Sequence, residues 1–254
     1  MSALLDTSVF AGHWPFRALP ATTPGELKAR LAAGGVTQAW IAPLDAVFYA
    51  DPHEANRALA ASVQGDSFYV FVGALNPTLP AWRRDAEECL DKLGARALKV
   101  FPNYHGYALT DARAAELAEL CARRNVPLCV QLRMQDERGH HPLVKVPGVP
   151  LTDVKALHER VPAARLLACA AYVKEMKELQ SLPNLWAEIS HAEWELSLAS
   201  ALERCAPEYL VYGSHAPLHY PEAEVAKLAA PEAEFPAATL EAVRAGNAQR
   251  LLGS

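Results

Sequence analysis

The sequence predicts one α/β domain, a (β/α)8 barrel spanning residues 1–254, and three observations lead there. Eight short apolar runs recur along the chain, stretches of helical character separate them, and no linker or shift of composition divides the whole. Strict alternation of strand and helix implies a parallel sheet, because parallel neighbours need a crossover connection between them. Eight such units in 254 residues fit a closed barrel. The alternative, an open doubly wound sheet, carries a glycine-rich turn after its first strand, and DTSVFAGHW is no such turn.

The expected strands, in order, are ALLDTSVF, QAWIAPL, FYVFVGAL, ALKVFP, PLCVQLR, RLLACA, LWAEIS and YLVYGSH. Each is rich in Val, Leu, Ile or aromatic residues with little polar alternation, as in strands buried on both faces. Between them GELKARLAAGG, HEANRALAASVQ, AWRRDAEECLDKLG, TDARAAELAELCARRN, LTDVKALHERV, VKEMKELQSL and ELSLASALERCA read as helices, and AATLEAVRAGNAQRLLG reads as a last one. PEAEVAKLAAPEAEFP is the connection to that last helix rather than a domain linker. Thr110 suits an N-cap, Gly34 and Gly94 suit C-caps, and Pro127 or Pro183 stops the helix before it. In the fourth helix Ala114, Leu117, Leu120 and Cys121 share one face, leaving Arg113, Glu116, Glu119 and Arg123 for solvent.

A hydrophobic content of 51% supplies a large core, and a net charge of −5 without any block of like charge argues against nucleic acid or an anionic membrane as partner. A small-molecule substrate is the expected partner, with a homo-oligomer left open. Cys89, Cys121, Cys129, Cys169 and Cys205 are odd in number and form no CxxC pair, so they read as buried thiols in a reducing compartment. MSALLDTSVF has neither the basic start of a signal peptide nor the length of a membrane span, so the expected location is cytoplasmic.

In barrels of this kind the reactive groups stand at the carboxyl ends of the strands and on the loops after them. Those positions hold Asp6, Ser8 and Phe10; Asp45; Asn76; Lys99, Asn103, Tyr104 and His105; Gln131, Arg133 and Asp136; Cys169 and Tyr172; Glu188 and His191; and Ser214, His215 and His219. Three segments are more specific. With LLDTSVFAGHWPFR at the start, YGSHAPLHYP at the eighth strand and AGNAQRLLG at the end, the chain resembles the amidohydrolase-related (amidohydrolase 2 type) group of TIM-barrel hydrolases and decarboxylases.

The resemblance implies a mononuclear metal site made by a first-strand His-x-His pair, later histidines and a last-strand Asp. At those places this chain has Ser8 and Phe10, Gln131, Cys169 and His215, which implies a divergent member with no metal and no other cofactor. The expected catalytic residues are then Asp6 and His215, the imidazole serving as general base or acid and Asp6 orienting a water or the ring. Lys99, Asn103, His105, Gln131, Arg133, Glu188 and His191 are the expected substrate-binding residues, the two cations favouring a carboxylate or phosphate.

Structural roles compete with each of these. Lys99 can neutralise Asp6 or Glu188, Arg133 can brace its own loop through Asp136 and Glu137, His215 can be a hydrogen-bonded core residue, and Asp6 a remnant. Trp14, Tyr49, Tyr107 and Trp194 can wall a ring-shaped ligand or cover the core. HGYALTD and RMQDERGHHPLVKVPGVPL are the loops that shape a pocket, and the adjacent His140 and His141 diverge too far to chelate one ion. The expected function is a hydrolase acting on a small anionic substrate, a lactone, amide or carboxylate. The alternatives are a ligand-binding barrel without catalysis, or a metal-dependent hydrolase or decarboxylase whose ion has moved to Glu188, His191 and His215 with His105 or Asp6.

Overall fold

The computed structural model describes residues 3–180, 182–192, 197–229 and 235–253. Eight parallel strands lie in chain order: β1 (Leu5–Ala11), β2 (Gln38–Pro43), β3 (Tyr69–Leu75), β4 (Ala97–Val100), β5 (Leu128–Gln131), β6 (Leu166–Cys169), β7 (Leu185–Glu188) and β8 (Leu210–Val211). The end of β8 returns to β1, where Thr7 N donates to Tyr212 O at 3.0 Å and Phe10 N to Ala216 O at 2.8 Å, so the sheet curls into a barrel. The helices α1 (Pro24–Ala33), α2 (His53–Val63), α3 (Trp82–Asp91), α4 (Ala112–Arg123), α5 (Leu151–Arg160), α6 (Val173–Leu179), α7 (Ser197–Arg204) and α8 (Pro221–Ala229) alternate with them. The single-domain α/β barrel expected from the sequence is the fold observed.

Strand alternation explains why the apolar runs show no polar beat. Ile41, Phe71, Leu98, Val130 and Ala168 point outward to helix residues such as Leu31, Leu59, Leu117 and Leu157. Trp40, Val72, Ala97, Cys129, Leu167 and Val211 point inward and fill the barrel. Both faces of each strand are dry, so both must be apolar. The same alternation carries Lys99, two residues after Ala97, to the inside.

The helix ends correct two expectations, Thr110 and Gly94, and bear out a third, Gly34. Asp111, not Thr110, caps α4, because its carboxylate accepts Arg113 N at 2.9 Å and adds a negative charge at the helix start. Gly34 closes α1 at φ −80°, while Gly35 takes the left-handed step at φ +88°. Gly94, at φ +74°, lies beyond Lys92, which closes α3. The last helix is also not uniform: α9 (Ala237–Glu241) runs through a π turn (Ala242–Gly246) into α10 (Asn247–Leu252). The Asn247 amide donates to Pro207 O and Leu210 O, each at 2.6 Å, which ties this helix to the start of β8. Among the described residues no helix is long and apolar enough to cross a membrane.

Candidate active site

The register of β1 against β2 skips between Asp6 and Val9, so Thr7 and Ser8 together face one residue of the neighbour. This bulge lets Asp6 Oδ1 accept Ser8 N at 3.1 Å and, across the seam of the barrel, Ser214 N at 2.9 Å. Asp6 Oδ2 and Ser8 Oγ are buried without a partner among the described residues. Burial pushes the Asp6 carboxyl up to about 7, against the downward pull of its hydrogen bonds to Ser214 and Ser8.

One step after Ser214, His215 adopts φ +54°, a left-handed conformation uncommon for a side-chain-bearing residue. Its fully buried ring meets Phe10 edge-on at 5.3 Å, with His191 at 5.1 Å and His219 at 5.2 Å. His215 Nε2 lies 2.9 Å from Met134 O. A carbonyl only accepts, so Nε2 carries the proton and Nδ1 is left as a bare lone pair, with no partner among the described residues. Burial, reinforced by His191 and His219, holds His215 well below the ordinary histidine value, and the ring is neutral.

His191 repeats this arrangement. Its Nδ1 lies 3.1 Å from Ser190 Oγ, whose hydroxyl donates to Glu188 Oε2 at 3.0 Å, while Nε2 has no partner among the described residues. Burial, then the neighbouring His219 and Arg133, push it well below the usual range. The His219 ring lies tilted at 4.8 Å from His191 and reaches Glu224 Oε1 through Nδ1 at 3.4 Å. Glu188 is engaged on both oxygens, accepting Ala170 N at 3.0 Å, the Ser190 hydroxyl and Ser190 N. It also fills the space over Gly213, where an added Cβ would come within 2.4 Å of Glu188 Cγ.

On the opposite wall Lys99 is 1% exposed, donates to Gln131 Oε1 at 2.9 Å and places Nζ 4.4 Å from the centre of the Phe10 ring. Neither Asp6 nor Glu188 pairs with it, and among the described residues no acid forms a salt bridge to it. Gln131 passes the contact on, donating through Nε2 to Arg133 O at 2.7 Å. Arg133 does brace a loop, but its partner is Glu175 rather than Asp136 or Glu137. The guanidinium forks onto that carboxylate at 2.5 and 2.7 Å, donates to Ala170 O and lies 3.9 Å from the centre of the Tyr172 ring. Asp136 instead accepts from Arg138 and from the Tyr172 hydroxyl, the latter at 2.9 Å.

Asn103 and His105 lie above this wall and hold loops together. The Asn103 amide donates to Pro147 O in the long loop after β5, and His105 Nε2 lies 2.9 Å from Ala46 O in the loop after β2. The aromatic cover is not the expected set. Trp14 packs on Phe16 and Phe48 at 5.8 and 5.1 Å, Tyr104 on Phe48 at 5.6 Å, and His141 stacks on Phe16 at 5.4 Å. Tyr49 is 48% exposed, Tyr107 lies in the outer core, and Trp194 falls outside the described residues.

Sequence reasoning did not single out the inner patch where Cys129 and Cys169 adjoin Lys99. The signal was available: Cys129 and Gln131 are two apart on β5, hence on one face with Lys99 opposite Cys129 in register. Among the described residues no group of three or more His, Cys, Asp or Glu is placed to hold a metal ion.

Known proteins resemble this arrangement in fold. The 5-carboxyvanillate decarboxylase of Sphingomonas paucimobilis superposes with a TM-score of 0.75 at 14% identity, covering 100% of this chain and 99% of that one. The 2,6-dihydroxybenzoate decarboxylase of Rhizobium gives 0.75 at 11% identity, with 100% and 99% covered. A dihydroxybenzoic acid decarboxylase of Polaromonas sp., solved with manganese and the inhibitor 2-nitroresorcinol, gives 0.73 at 14% identity, with 100% and 97% covered. No curated protein sequence matches the chain. The amidohydrolase family model matches residues 15–254, which takes in every strand after β1 and the closing helix, and the chain therefore belongs to the amidohydrolase family.

Proposed function

We propose that the protein is a hydrolase of small carboxylate-bearing molecules, such as a lactone or amide, that works without a divalent metal. The observation that carries this reading is the pairing of a neutral, buried His215 offering a bare Nδ1 with a buried Lys99 ammonium that lacks a carboxylate partner among the described residues, both against the Phe10 ring. The donors present do not suit a metal. At the first strand a hydroxyl and a phenyl ring replace imidazoles, and the ring is already capped by an ammonium 4.4 Å away. A divalent ion about 5 Å from that ammonium would meet a repulsion of about 7 kcal/mol at an effective dielectric constant of about 20.

Each residue then has a role its contacts permit. Lys99, held in place by Gln131, attracts the substrate carboxylate or polarises its reacting carbonyl. His215 Nδ1 accepts a proton from water, its tautomer fixed by Met134 O. Asp6 grips Ser214 N and so positions the backbone that carries His215; its free Oδ2 is a second proton acceptor. His191 stands beside His215, while Glu188 and Arg133 set the loops after β6 and β7. The five buried free thiols suit a reducing compartment, and on that ground we place the protein in the cytoplasm.

The test is a panel of carboxylated lactones, amides and aryl esters, with hydroxybenzoates included to detect decarboxylation, assayed on chelator-treated full-length protein. Turnover of a lactone, amide or ester, reduced about 100-fold or more in His215→Ala as for loss of a general base and weakened chiefly in KM by Lys99→Met, is the expected result. Release of carbon dioxide, or turnover appearing only after a divalent metal is restored, would overturn it.

A further inference from the structure

Fourteen consecutive residues after β5, from Gln135 to Gly148, include none that is buried, and Leu143 among them is 87% exposed. On either side the chain is fixed. Met134 is 1% and Val149 3% exposed, and Val149 N donates to Leu132 O at 2.8 Å, which pins the two ends of the loop together. Arg133 ties this root to α6 through Glu175, and it lies so close under Gly148 that a Cβ there would come within 3.1 Å of its Nη2. A long surface loop with joined ends is an Ω-loop. Its inner bonds are its own: Asp136 accepts from the Arg138 side chain, and Leu143 N and Val144 N donate to His141 Nδ1 and His141 O at 3.2 and 2.9 Å. Pro142 and Pro147 hold φ along its returning arm, and Gly148, between Pro147 and Pro150, is the residue free to turn.

What the loop covers is the site. Lys99 and His215 are 1% and 0% exposed, so nothing of substrate size touches them while the mouth is shut. The loop rests on the mouth through the His141 ring, stacked on Phe16 at 5.4 Å, through the Asn103 amide on Pro147 O, and through the Tyr172 hydroxyl on Asp136 at 2.9 Å. None of these six residues is buried, so water replaces each contact as it breaks.

We propose that residues 136–147 are a lid that lifts to admit the substrate, turning at Gln135 and Gly148, while the root inside the hinge keeps the reacting groups in place. The proposal rests on the hydrolase reading above for what passes beneath the lid. The root acts through two successive carbonyls. Arg133 O accepts Gln131 Nε2 at 2.7 Å, and Gln131 Oε1 in turn holds Lys99 Nζ at 2.9 Å. Met134 O, one residue on, lies 2.9 Å from His215 Nε2 and fixes its tautomer. The ammonium and the imidazole are therefore tied to the part of the loop that stays put. Opening exposes them with their geometry intact.

The test joins Phe16→Cys to His141→Cys with a cleavable bis-maleimide, the five native thiols being buried, and reads carbethoxylation of each histidine by diethyl pyrocarbonate in the folded full-length protein. His158, buried in the last turn of α5 against Pro183 O at the other end of the barrel, reports global unfolding. In the parent His215 is expected to label faster than His158. His141→Ala, which removes the stack, is expected to speed His215 about fivefold, the effect of losing one ring contact, and to leave His158 unchanged. The link is expected to slow His215 to the pace of His158, and its cleavage to restore the rate. Equal rates for His215 and His158 in the parent, or a His215 rate that the link leaves unchanged, overturn the lid. If the double variant fails to fold, a His215 rate unaltered by His141→Ala overturns it equally. Labelling needs no substrate, so the two readings separate. Hydrolysis of a carboxylated p-nitrophenyl ester that stops with the link and returns on cleavage supports both; hydrolysis indifferent to the link overturns the lid alone; a gated His215 in a protein that hydrolyses no member of the panel supports the lid and overturns the hydrolase reading.

Discussion

Asp6 is a carboxyl whose surroundings work against its charge. Its folded-state value near 7 lies above the unfolded value near 3.8, so the native state holds the proton more tightly. The penalty is absent below about pH 4, grows as pH rises toward 7 and is complete above it, reaching about 4 kcal/mol at about 1.4 kcal/mol per unit. Asp6→Asn keeps an oxygen for Ser8 N and Ser214 N but removes the charge. The melting temperature of this variant relative to the parent is expected to rise steadily between about pH 4 and 8; a difference that does not change with pH would contradict the assignment. Arg133 poses the opposite case, a cation paired with Glu175 with its side chain 5% exposed. Arg133→Met leaves that carboxylate without its partner and is expected to cost about 3 kcal/mol in urea unfolding. Arg133→Lys, which cannot form the two-pronged contact, is expected to recover only part of the loss. No sequence pattern joins positions 133 and 175, which lie on separate strand–helix units, so this pairing was not legible, whereas the inward placement of Lys99 was. Alternation along ALKV dictates it.

At the level of elements, legibility follows burial. The eight strands could be marked from the chain because both of their faces are dry. Helix ends were harder, because Thr110 and Asp111 are both competent caps and the choice depends on which side chain reaches Arg113 N. The Gly-Asn-Ala signature of the closing segment was visible, but not its mechanical role. Asn247 donates to the buried Leu210 carbonyl and to the half-buried Pro207 carbonyl at the entrance to β8, the strand whose end carries Ser214 and His215. Asn247→Ala is expected to destabilise by about 1 kcal/mol, since it takes a donor from the buried Leu210 carbonyl while Pro207 O keeps the Leu210 N–H. It is also expected to broaden or shift the His215 imidazole signals in 15N NMR; unchanged signals would separate the closing helix from the site. The π turn just before Asn247 has no signal in AATLEAVRAGNAQRLLG that a helical period reveals.

For the whole molecule, the barrel divides its labour between a wall of acid–base groups and a cover of aromatic rings. Trp14, Phe16, Phe48 and Tyr104 come from the loops after β1, β2 and β4, and His141 from the loop after β5, so closing the mouth draws on four connections. Phe48→Ala removes the ring that touches three of the others. It is expected to raise acrylamide quenching of tryptophan fluorescence with little change in melting temperature, because Phe48 is 39% exposed; unchanged quenching would mean that the rings do not act as a cover. The fold is that of an amidohydrolase, while the residues facing its centre offer a phenyl ring, an ammonium, two thiols and neutral imidazoles. Metal analysis of the full-length protein, purified without chelator and assayed in the same preparation, tests this reading most directly. The account predicts zinc and manganese below about a tenth of an equivalent in protein that turns over substrate; about one equivalent of either, with activity lost when it is stripped and regained when it returns, would contradict it.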